Sequence, residues 1–158
     1  MKKKKVLFIA STGGHLSELL QLQPMFEKYD YRIITEKTKS TVGLKDKHPK
    51  RVKFLVFGTK DHPFSYIFKF MYNCIKSLCL FIKIRPKAVV TTGTHTAIPM
   101  CYIAKLFGRK IVFIETFANS KTKTLSGKLV YPIADLFIVQ WEEMLELYPR
   151  AVYGGWIY

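Results

Sequence analysis

The sequence predicts an α/β protein built on a doubly wound parallel sheet. Three observations lead to this prediction. Short, continuous apolar runs alternate with stretches of helical spacing, which is typical of buried parallel strands joined by crossover helices. Two of these runs end in Gly-containing turns that lead into helices. The hydrophobic content of 49% suits a globular protein, and the length of 158 residues suits a single domain over residues 1–158. A chain of this length is too short for two α/β domains.

The strands are expected wherever four to six apolar or β-branched residues follow one another between polar or Gly-rich boundaries. Their expected positions are residues 6–10, 32–35, 52–57, 88–92, 110–114 and 136–139. Helices are expected where apolar residues recur at helical spacing, and Gly108 marks the end of one of them. Their expected positions are residues 16–24, 64–84, 97–107, 125–131 and a short segment from about 142. The polar, Lys-rich stretch 36–51 lacks periodicity and is expected to form a mobile loop.

The charge balance points to a polyanionic partner. The chain carries 26 basic and 11 acidic residues, a formal net charge of +15. A chain of this kind is expected to bind nucleic acid, an anionic bilayer or a phosphorylated substrate. The lysines concentrate in residues 2–5 and 37–60 without a nucleic-acid recognition motif, so no nucleic-acid partner is expected.

The three cysteines, Cys74, Cys79 and Cys101, lack the spacings of zinc and dithiol redox sites. They are expected to be free thiols in a reducing cytosol, and neither a metal nor a cofactor is expected. The first ten residues have a basic head but only five apolar residues before Ser11. That is too short for a signal peptide, so this segment is interpreted as the first strand.

The first Gly turn, residues 11–14, carries the strongest chemical signal. Gly13 and Gly14 let a ligand approach the backbone closely, and the helix that follows offers unpaired N–H groups and a partial positive charge. These features are typical of a phosphate or diphosphate site. His15, at the exit of the turn, could donate to a phosphate or act as a general base. The alternative is a tight turn whose histidine only caps or packs.

A second turn, residues 91–96, repeats this arrangement, with Thr94 beside a glycine and a histidine. Turns at the carboxyl ends of parallel strands face one crevice, so the two turns are expected to meet. The alternative role for Thr94 is helix capping. Glu115 ends another strand, where a carboxylate could orient His15, accept a proton or hold a sugar hydroxyl. The alternative for Glu115 is a structural hydrogen bond to the loop that follows.

The aromatic segment 64–84 interrupts the alternation of strands and helices. Lys69, Lys76 and Lys83 stand seven residues apart, and Asn73 falls between the first two, so a helix would carry one narrow polar stripe. Lysines near the middle argue against a membrane-spanning helix. Two alternatives remain: a helix that lies in the membrane interface and a helix packed only on the sheet. The aromatic end, residues 153–158, is expected to fray or to dock on a partner.

Six segments together resemble one family: residues 11–16, 99–104, 114–118, 125–135, 137–141 and 148–151. In this family, an N-acetylglucosaminyltransferase is split into two subunits and carries out the second step of dolichol-linked oligosaccharide synthesis. The chain resembles the membrane-associated subunit, which does not bind the sugar donor. Its bacterial relatives are capsular and exopolysaccharide glycosyltransferase enhancer proteins. The resemblance covers nearly the whole chain and is weakest across the Lys-rich stretch and the aromatic segment.

The resemblance implies a GT-B glycosyltransferase divided into two chains. This chain would be its Rossmann-like N-terminal acceptor half, as in the peptidoglycan lipid-linked N-acetylglucosaminyltransferase. A nucleotide-sugar-binding subunit would complete a heterodimer, and the acceptor would be a polyprenyl-diphosphate-linked sugar. The eukaryotic subunit starts with a membrane-spanning helix, and no counterpart of it is expected in this chain. The helix at 63–84 is therefore expected to attach the chain to the anionic cytoplasmic face of the membrane, peripherally or monotopically. The alternative is a non-catalytic scaffold that only recruits the partner transferase.

The resemblance and the residue patterns together assign roles to individual side chains. His15 and Glu115 are the expected catalytic residues. The remaining expected contacts fall into three groups. The acceptor diphosphate would be bound by Gly13, Gly14, His15 and Thr94. The membrane would be contacted by Lys69, Phe70, Lys76, Phe81 and Lys83. The partner would be contacted by the tail at 150–158 through Trp156, Ile157 and Tyr158.

Overall fold

The computed structural model describes residues 3–58 and 63–158, and over these residues strands alternate with helices. The strands are β1 (Lys5–Ala10), β2 (Asp30–Lys37), β3 (Val52–Val56), β4 (Ala88–Gly93), β5 (Lys110–Ile114), β6 (Leu136–Val139) and β7 (Val152–Tyr153). The helices are α1 (Gly14–Gln21), α2 (Gln23–Phe26), α3 (Leu44–Lys47), α4 (Pro63–Ile84), α5 (Ile98–Leu106), α6 (Leu125–Val130) and α7 (Met144–Leu147). The predicted α/β fold is therefore confirmed.

The strands form one parallel sheet in the order β3-β2-β1-β4-β5-β6-β7. The chain moves outward from β1 to β3 and then returns to place β4 on the other side of β1. The strand order reverses between β1 and β4, so the loops that leave these two strands diverge. In doubly wound sheets, ligands bind in the crevice outside the carboxyl ends of the strands at this point. Both predicted Gly turns lie there.

The core has two parts, one on each face of the sheet. Side chains alternate along a strand, so in β1 Leu7 and Ile9 enter one cluster while Phe8 and Ala10 enter the other. The first cluster packs under α4 and α5, and the second packs under α1 and α2. Apolar burial on both faces explains why the strands are continuous apolar runs rather than alternating ones.

The Lys-rich stretch 36–51 is where the sequence prediction was wrong. It is not a mobile loop, since β2 extends through Lys37 and α3 forms within it. The buried Thr41 hydroxyl donates to the Glu36 carbonyl at 2.7 Å and accepts from the Thr38 N–H at 2.9 Å. These local bonds and the buried Leu44 order a segment whose surface lysines conceal its inward-facing residues.

Helix α4 is the longest helix, with 22 residues. The helix is long enough to cross a bilayer, but it is not apolar enough to do so. Among the helices of residues 3–58 and 63–158, none combines the length and apolar character that a membrane span requires.

Candidate functional site

The turn between β1 and α1 is open to a ligand. Gly13 has φ +90, in the left-handed region that favours glycine, and no side chain caps the start of α1. Gly13 and Gly14 are exposed, and a Cβ added at either would meet no atom within 4 Å. The first N–H groups of a helix have no partners within it. The turn therefore presents backbone donors and the positive end of α1 to open space.

His15 is fixed by β4 across the crevice. Its Nδ1 lies 2.7 Å from the Thr92 carbonyl oxygen, and the Thr92 hydroxyl donates to the His15 carbonyl at 2.6 Å. A carbonyl oxygen only accepts, so the hydrogen bond places the proton on Nδ1 and leaves Nε2 as the acceptor nitrogen. The side chain is 25% exposed, so the imidazole is anchored on one side and accessible on the other.

Glu18 joins α1 to the loop after β5. Its Oε1 accepts from the Thr116 hydroxyl at 2.8 Å and from the Phe117 N–H at 3.1 Å. Its Oε2 is buried, forms no hydrogen bond within the described residues, and lies 3.8 Å from His15 Nδ1. The Glu18 carboxylate therefore lies on the Nδ1 side of the imidazole, the side that also contacts the Thr92 carbonyl.

Thr94 lies at the same edge of the sheet. Its hydroxyl is 2.7 Å from the Ser11 hydroxyl, which directly links the two Gly turns. The two Gly turns therefore meet, as predicted, and they bring Gly13, Gly14, His15 and Thr94 to one crevice.

Glu36, at the end of β2, is a second carboxylate of this edge that the sequence analysis did not identify. It is 1% exposed. Its Oε1 accepts from the Thr96 hydroxyl at 2.7 Å and lies 3.4 Å from His95 Nε2. Its Oε2 accepts from the Thr12 N–H at 3.3 Å. Glu36 therefore holds the two Gly turns in a fixed relation. Its position at the end of a strand could have indicated a site residue, but it lies in the Lys-rich stretch that was expected to be a loop.

A cleft of about 310 Å³ opens beside these turns. It is lined by Tyr66, Thr94, His95, Ile98, Thr124, Leu125 and Ser126. The His95 ring meets the Tyr66 ring edge-on, with their centroids 5.7 Å apart. Hydroxyl groups and an aromatic face are features that suit a sugar or another polyhydroxylated ligand. Within residues 3–58 and 63–158, no three His, Cys, Asp or Glu side chains group so that they could hold a metal ion.

Glu115 is buried and fully engaged with its own domain. It is 2% exposed. The Thr124 hydroxyl lies 2.9 and 3.0 Å from its two oxygens, the Tyr148 hydroxyl donates to Oε2 at 3.0 Å, and the Thr116 N–H donates to Oε1 at 3.2 Å. Thr124 in turn caps α6 by accepting from the Gly127 N–H at 3.0 Å. These bonds favour the structural alternative for Glu115, a tie between β5 and the start of α6.

The pKa values of this cluster reflect its burial. Burial raises the pKa of the Glu115 carboxyl, and this rise is opposed by hydrogen bonds from Thr124, Tyr148 and the Thr116 backbone and by the charge of His15. Burial and the nearby charge of Glu115 also raise the pKa of the Tyr148 hydroxyl. The tyrosine therefore remains a hydrogen-bond donor to Glu115.

Helix α4 exposes a continuous apolar row rather than its polar stripe alone. The row recurs at helical spacing. Its members are Phe64, Ile67, Phe68, Met71, Tyr72, Ile75, Leu78 and Ile82. The opposite face packs on the sheet, where the buried Asn73 donates to the Val56 carbonyl at 2.8 Å and accepts from the Val56 N–H at 2.9 Å. One face of α4 thus belongs to the core and the other has no partner within the described residues.

This orientation corrects one predicted membrane contact. Phe81 is 3% exposed and packs against Phe107, with the ring centroids 5.2 Å apart, so it belongs to the core. Lys69 and Lys83 are exposed, whereas Lys76 is half-buried. Phe70 is also half-buried, and its ring stacks on the Tyr66 ring.

The tail does not fray, which was one of its two expected behaviours, and its docking on a partner stays a prediction. Val152 and Tyr153 pair with β6 as the seventh strand. The Ile157 N–H donates to Gln140 Oε1 at 3.2 Å, and the half-buried Ile157 and Tyr158 pack against the second core cluster. Trp156 alone of the three predicted partner contacts is largely exposed, at 76%. Its ring stacks on the Phe117 ring at 5.2 Å.

Known proteins match the sequence of this chain over most of its length. Residues 58–157 match the family described as oligosaccharide biosynthesis protein Alg14 like. The chain is 34% identical to UDP-N-acetylglucosamine transferase subunit ALG14 of Homo sapiens, across 95% of this chain and 81% of that protein. It is 28% identical to the same subunit of Mus musculus, across 96% of this chain and 82% of that protein. These matches support a transferase subunit and give no support to the expected capsule and exopolysaccharide roles.

Solved structures share the fold. Acinetobacter baumannii MurG superimposes with a TM-score of 0.71 at 16% identity, over 89% of this chain and 42% of that chain. UDP-GlcNAc 2-epimerase of Methanocaldococcus jannaschii superimposes with a TM-score of 0.70 at 18% identity, over 92% of this chain and 42% of that chain. The chain therefore spans less than half of these proteins, as expected of one Rossmann-like domain of a GT-B architecture. By its sequence matches over most of its length, the chain belongs to the Alg14 family of oligosaccharide biosynthesis proteins.

Proposed function

We propose that this chain is the acceptor-binding subunit of a two-chain sugar transferase that works at the cytoplasmic face of a membrane. The partner would bind the nucleotide sugar, and the acceptor would be a polyprenyl-diphosphate-linked sugar. The observation that carries the proposal is the open, uncapped start of α1 beside an anchored His15, in a chain related to UDP-N-acetylglucosamine transferase subunits.

The acceptor diphosphate would bind at the turn between β1 and α1. Gly13 and Gly14 leave room for phosphate oxygens, and the first N–H groups of α1 would donate to them. Thr94, tied to Ser11, would donate its hydroxyl from the opposite turn. The positive end of α1 adds about 0.3–1 kcal/mol for a negative group placed at the first turn.

His15 would act as the general base. The acceptor hydroxyl oxygen would attack the anomeric carbon of the donor sugar, the bond from that carbon to the diphosphate oxygen would break, and the nucleotide would leave with the electron pair. Nε2 of His15 would take the hydroxyl proton, because Nδ1 already donates to the Thr92 carbonyl. Glu18 Oε2, 3.8 Å from Nδ1, would stabilise the imidazolium that forms.

Attachment to the membrane would use the exposed apolar row of α4. The row would enter the interface, while Lys69 and Lys83 reach the headgroups. The single domain would then have a membrane face on α4 and a partner face near the tail, where exposed Trp156 stacks on Phe117. Large exposed aromatic side chains are common anchors of protein interfaces.

The test is a transfer assay with membranes that contain a polyprenyl-diphosphate sugar and a labelled nucleotide sugar. The chain alone, the partner alone and the complex are compared. Activity found only with the complex, or raised strongly by it, supports the two-chain enzyme. Strong activity of this chain alone would contradict it, because a donor site would then have to lie within this single domain.

His15→Asn separates catalysis from recruitment. Asparagine keeps an N–H near the Nδ1 position but removes the base, so transfer by the assembled complex should fall about 10²–10⁴-fold. His48→Asn is the matched control, since His48 contacts Tyr31 at 3.0 Å, away from the crevice. If the His15→Asn complex assembles and keeps full activity, the chain is the non-catalytic scaffold instead.

A further inference from the structure

A groove of about 330 Å³ lies beside α4, against the edge strand β3. Four lysines line it, Lys37, Lys45, Lys53 and Lys76, together with the apolar side chains of Val52, Phe54 and Leu80. No acidic residue is among the lining residues. Four ammonium groups around one concave surface, contributed by β2, α3, β3 and α4, form a site of strongly positive potential.

Two of these lysines rest on aromatic rings instead of carboxylates. Lys45 Nζ lies 5.2 Å from the centroid of Phe54, and Lys76 Nζ lies 5.4 Å from the centroid of Tyr72. Across residues 3–58 and 63–158, none of the four groove lysines forms an ion pair. Their charges are therefore not neutralised by the described part of the domain.

The groove lies along one flank of the apolar row of α4. Helical geometry places Lys69, Lys76 and Lys83 in one line, between the exposed row and the face that packs on β3. Tyr72, a member of the row, carries the Lys76 ammonium group over its ring. If the row enters a bilayer, the groove lies on the β3 flank of the inserted face, where headgroups would meet it.

We propose that this four-lysine groove binds the phosphate of an anionic phospholipid and thereby sets how the domain sits on the membrane. The inference rests on the proposed membrane attachment through α4 and deepens it by naming the lipid class and the site. A single phosphate diester suits the groove, because four lysine side chains line one small volume and the apolar side chains beside them can contact the start of the acyl chains.

The experiment measures binding of the full chain to vesicles of phosphatidylcholine alone and of phosphatidylcholine mixed with phosphatidylglycerol. The variant Lys45→Gln/Lys53→Gln/Lys76→Gln is compared with Lys28→Gln/Lys121→Gln/Lys128→Gln, which removes the same charge from exposed lysines outside the groove. Each groove substitution should lower binding to the anionic vesicles about fivefold. The control variant should lose much less, and both variants should keep the thermal midpoint of the native chain.

A second readout reports the position of α4. Cys79 is exposed on the outer side of α4, and Cys101 is buried, so a water-soluble maleimide should label Cys79 and spare Cys101. Anionic vesicles should protect Cys79 in the native chain and in the control variant, and protect it less in the groove variant.

The outcomes separate the two proposals. If no vesicle binds the chain or protects Cys79, membrane attachment through α4 is wrong. If anionic vesicles bind and the two triple variants are weakened equally, a diffuse field attracts the domain and the groove site is wrong. If inorganic phosphate without lipid competes at low concentration, the groove binds a soluble phosphate compound and the lipid assignment is overturned.

Discussion

Phe81 and Phe68 allow a matched test of how α4 is oriented. Both are phenylalanines of the same helix, yet Phe81 is 3% exposed and Phe68 is 72% exposed. Phe81 contacts Phe107 and belongs to the first core cluster. Truncating each to alanine removes the same atoms from two different environments.

The expected magnitudes differ widely. Replacing a buried phenylalanine with alanine costs about 3–5 kcal/mol, because apolar contacts are lost and a cavity remains. For a domain of this size that corresponds to a fall in thermal midpoint of about 6–20 °C. Phe68→Ala should change stability by less than about 0.5 kcal/mol, since an exposed side chain loses few contacts and alanine favours the helix.

Two measurements test both variants. Thermal and denaturant unfolding give the stability change, and sedimentation with anionic vesicles gives membrane binding. Phe68→Ala should lower vesicle binding about 10- to 100-fold, because inserting a phenylalanine in an apolar phase contributes about 1.5–3 kcal/mol. Similar stability losses for Phe81→Ala and Phe68→Ala would refute the orientation of α4. Normal vesicle binding by folded Phe68→Ala would refute the apolar row as the membrane face.

Three further predictions concern the crevice and the thiols. Gly14→Ala should fold normally, because a Cβ at this position meets open space. The added methyl group should obstruct the phosphate and lower transfer by the complex at least about tenfold. The control is Gly43→Ala, where a Cβ is equally unhindered but remote from the turn, and it should leave transfer unchanged. Because the pKa of Glu115 is raised in the folded state, the folded chain takes up this proton at a higher pH than the unfolded chain. The native chain should therefore gain stability relative to Glu115→Gln as pH falls from neutral toward the ordinary glutamate pKa, and a loss of relative stability over this range would contradict the burial of the carboxyl. Burial raises the pKa of the Cys101 thiol to about 12, so in folded protein at neutral pH Cys101 should resist alkylation while Cys79 reacts, and mass spectrometry of the labelled peptides reports both.

The local pattern was sufficient to predict the sheet and the first Gly turn. Continuous apolar runs bounded by Gly or charged residues are typical of strands covered on both faces, so β1, β4 and β5 could be predicted from the sequence. The two-residue strand β7 was not visible, because its pairing with β6 depends on the fold and leaves too short a pattern. The strand explains why the tail is ordered.

The orientation of α4 could not be predicted for a different reason. Its apolar residues cover most of the circumference, so the spacing alone does not say which side meets the sheet. The deciding contact is the pair of hydrogen bonds between Asn73 and Val56, which fixes the lysine line beside β3 and turns Phe81 inward. The same limit applies to Glu36, whose partners Thr96 and Thr12 are far away in the chain and close only in the fold.

The parallel sheet also explains how a membrane-bound acceptor could reach the crevice. Helix α4 follows β3, so it starts at the carboxyl edge of the sheet and runs back along it. Its first turns therefore lie at the edge that holds the Gly turns, and Tyr66 indeed contacts His95 there. If the apolar row rests in the bilayer, a polyprenyl diphosphate emerging beside the start of α4 meets the turn at Gly13 without leaving this edge. Trp156 and Phe117 lie after β7 and β5, at the same edge, so a partner docked on them would bring its donor sugar toward the acceptor rather than to the far side of the domain.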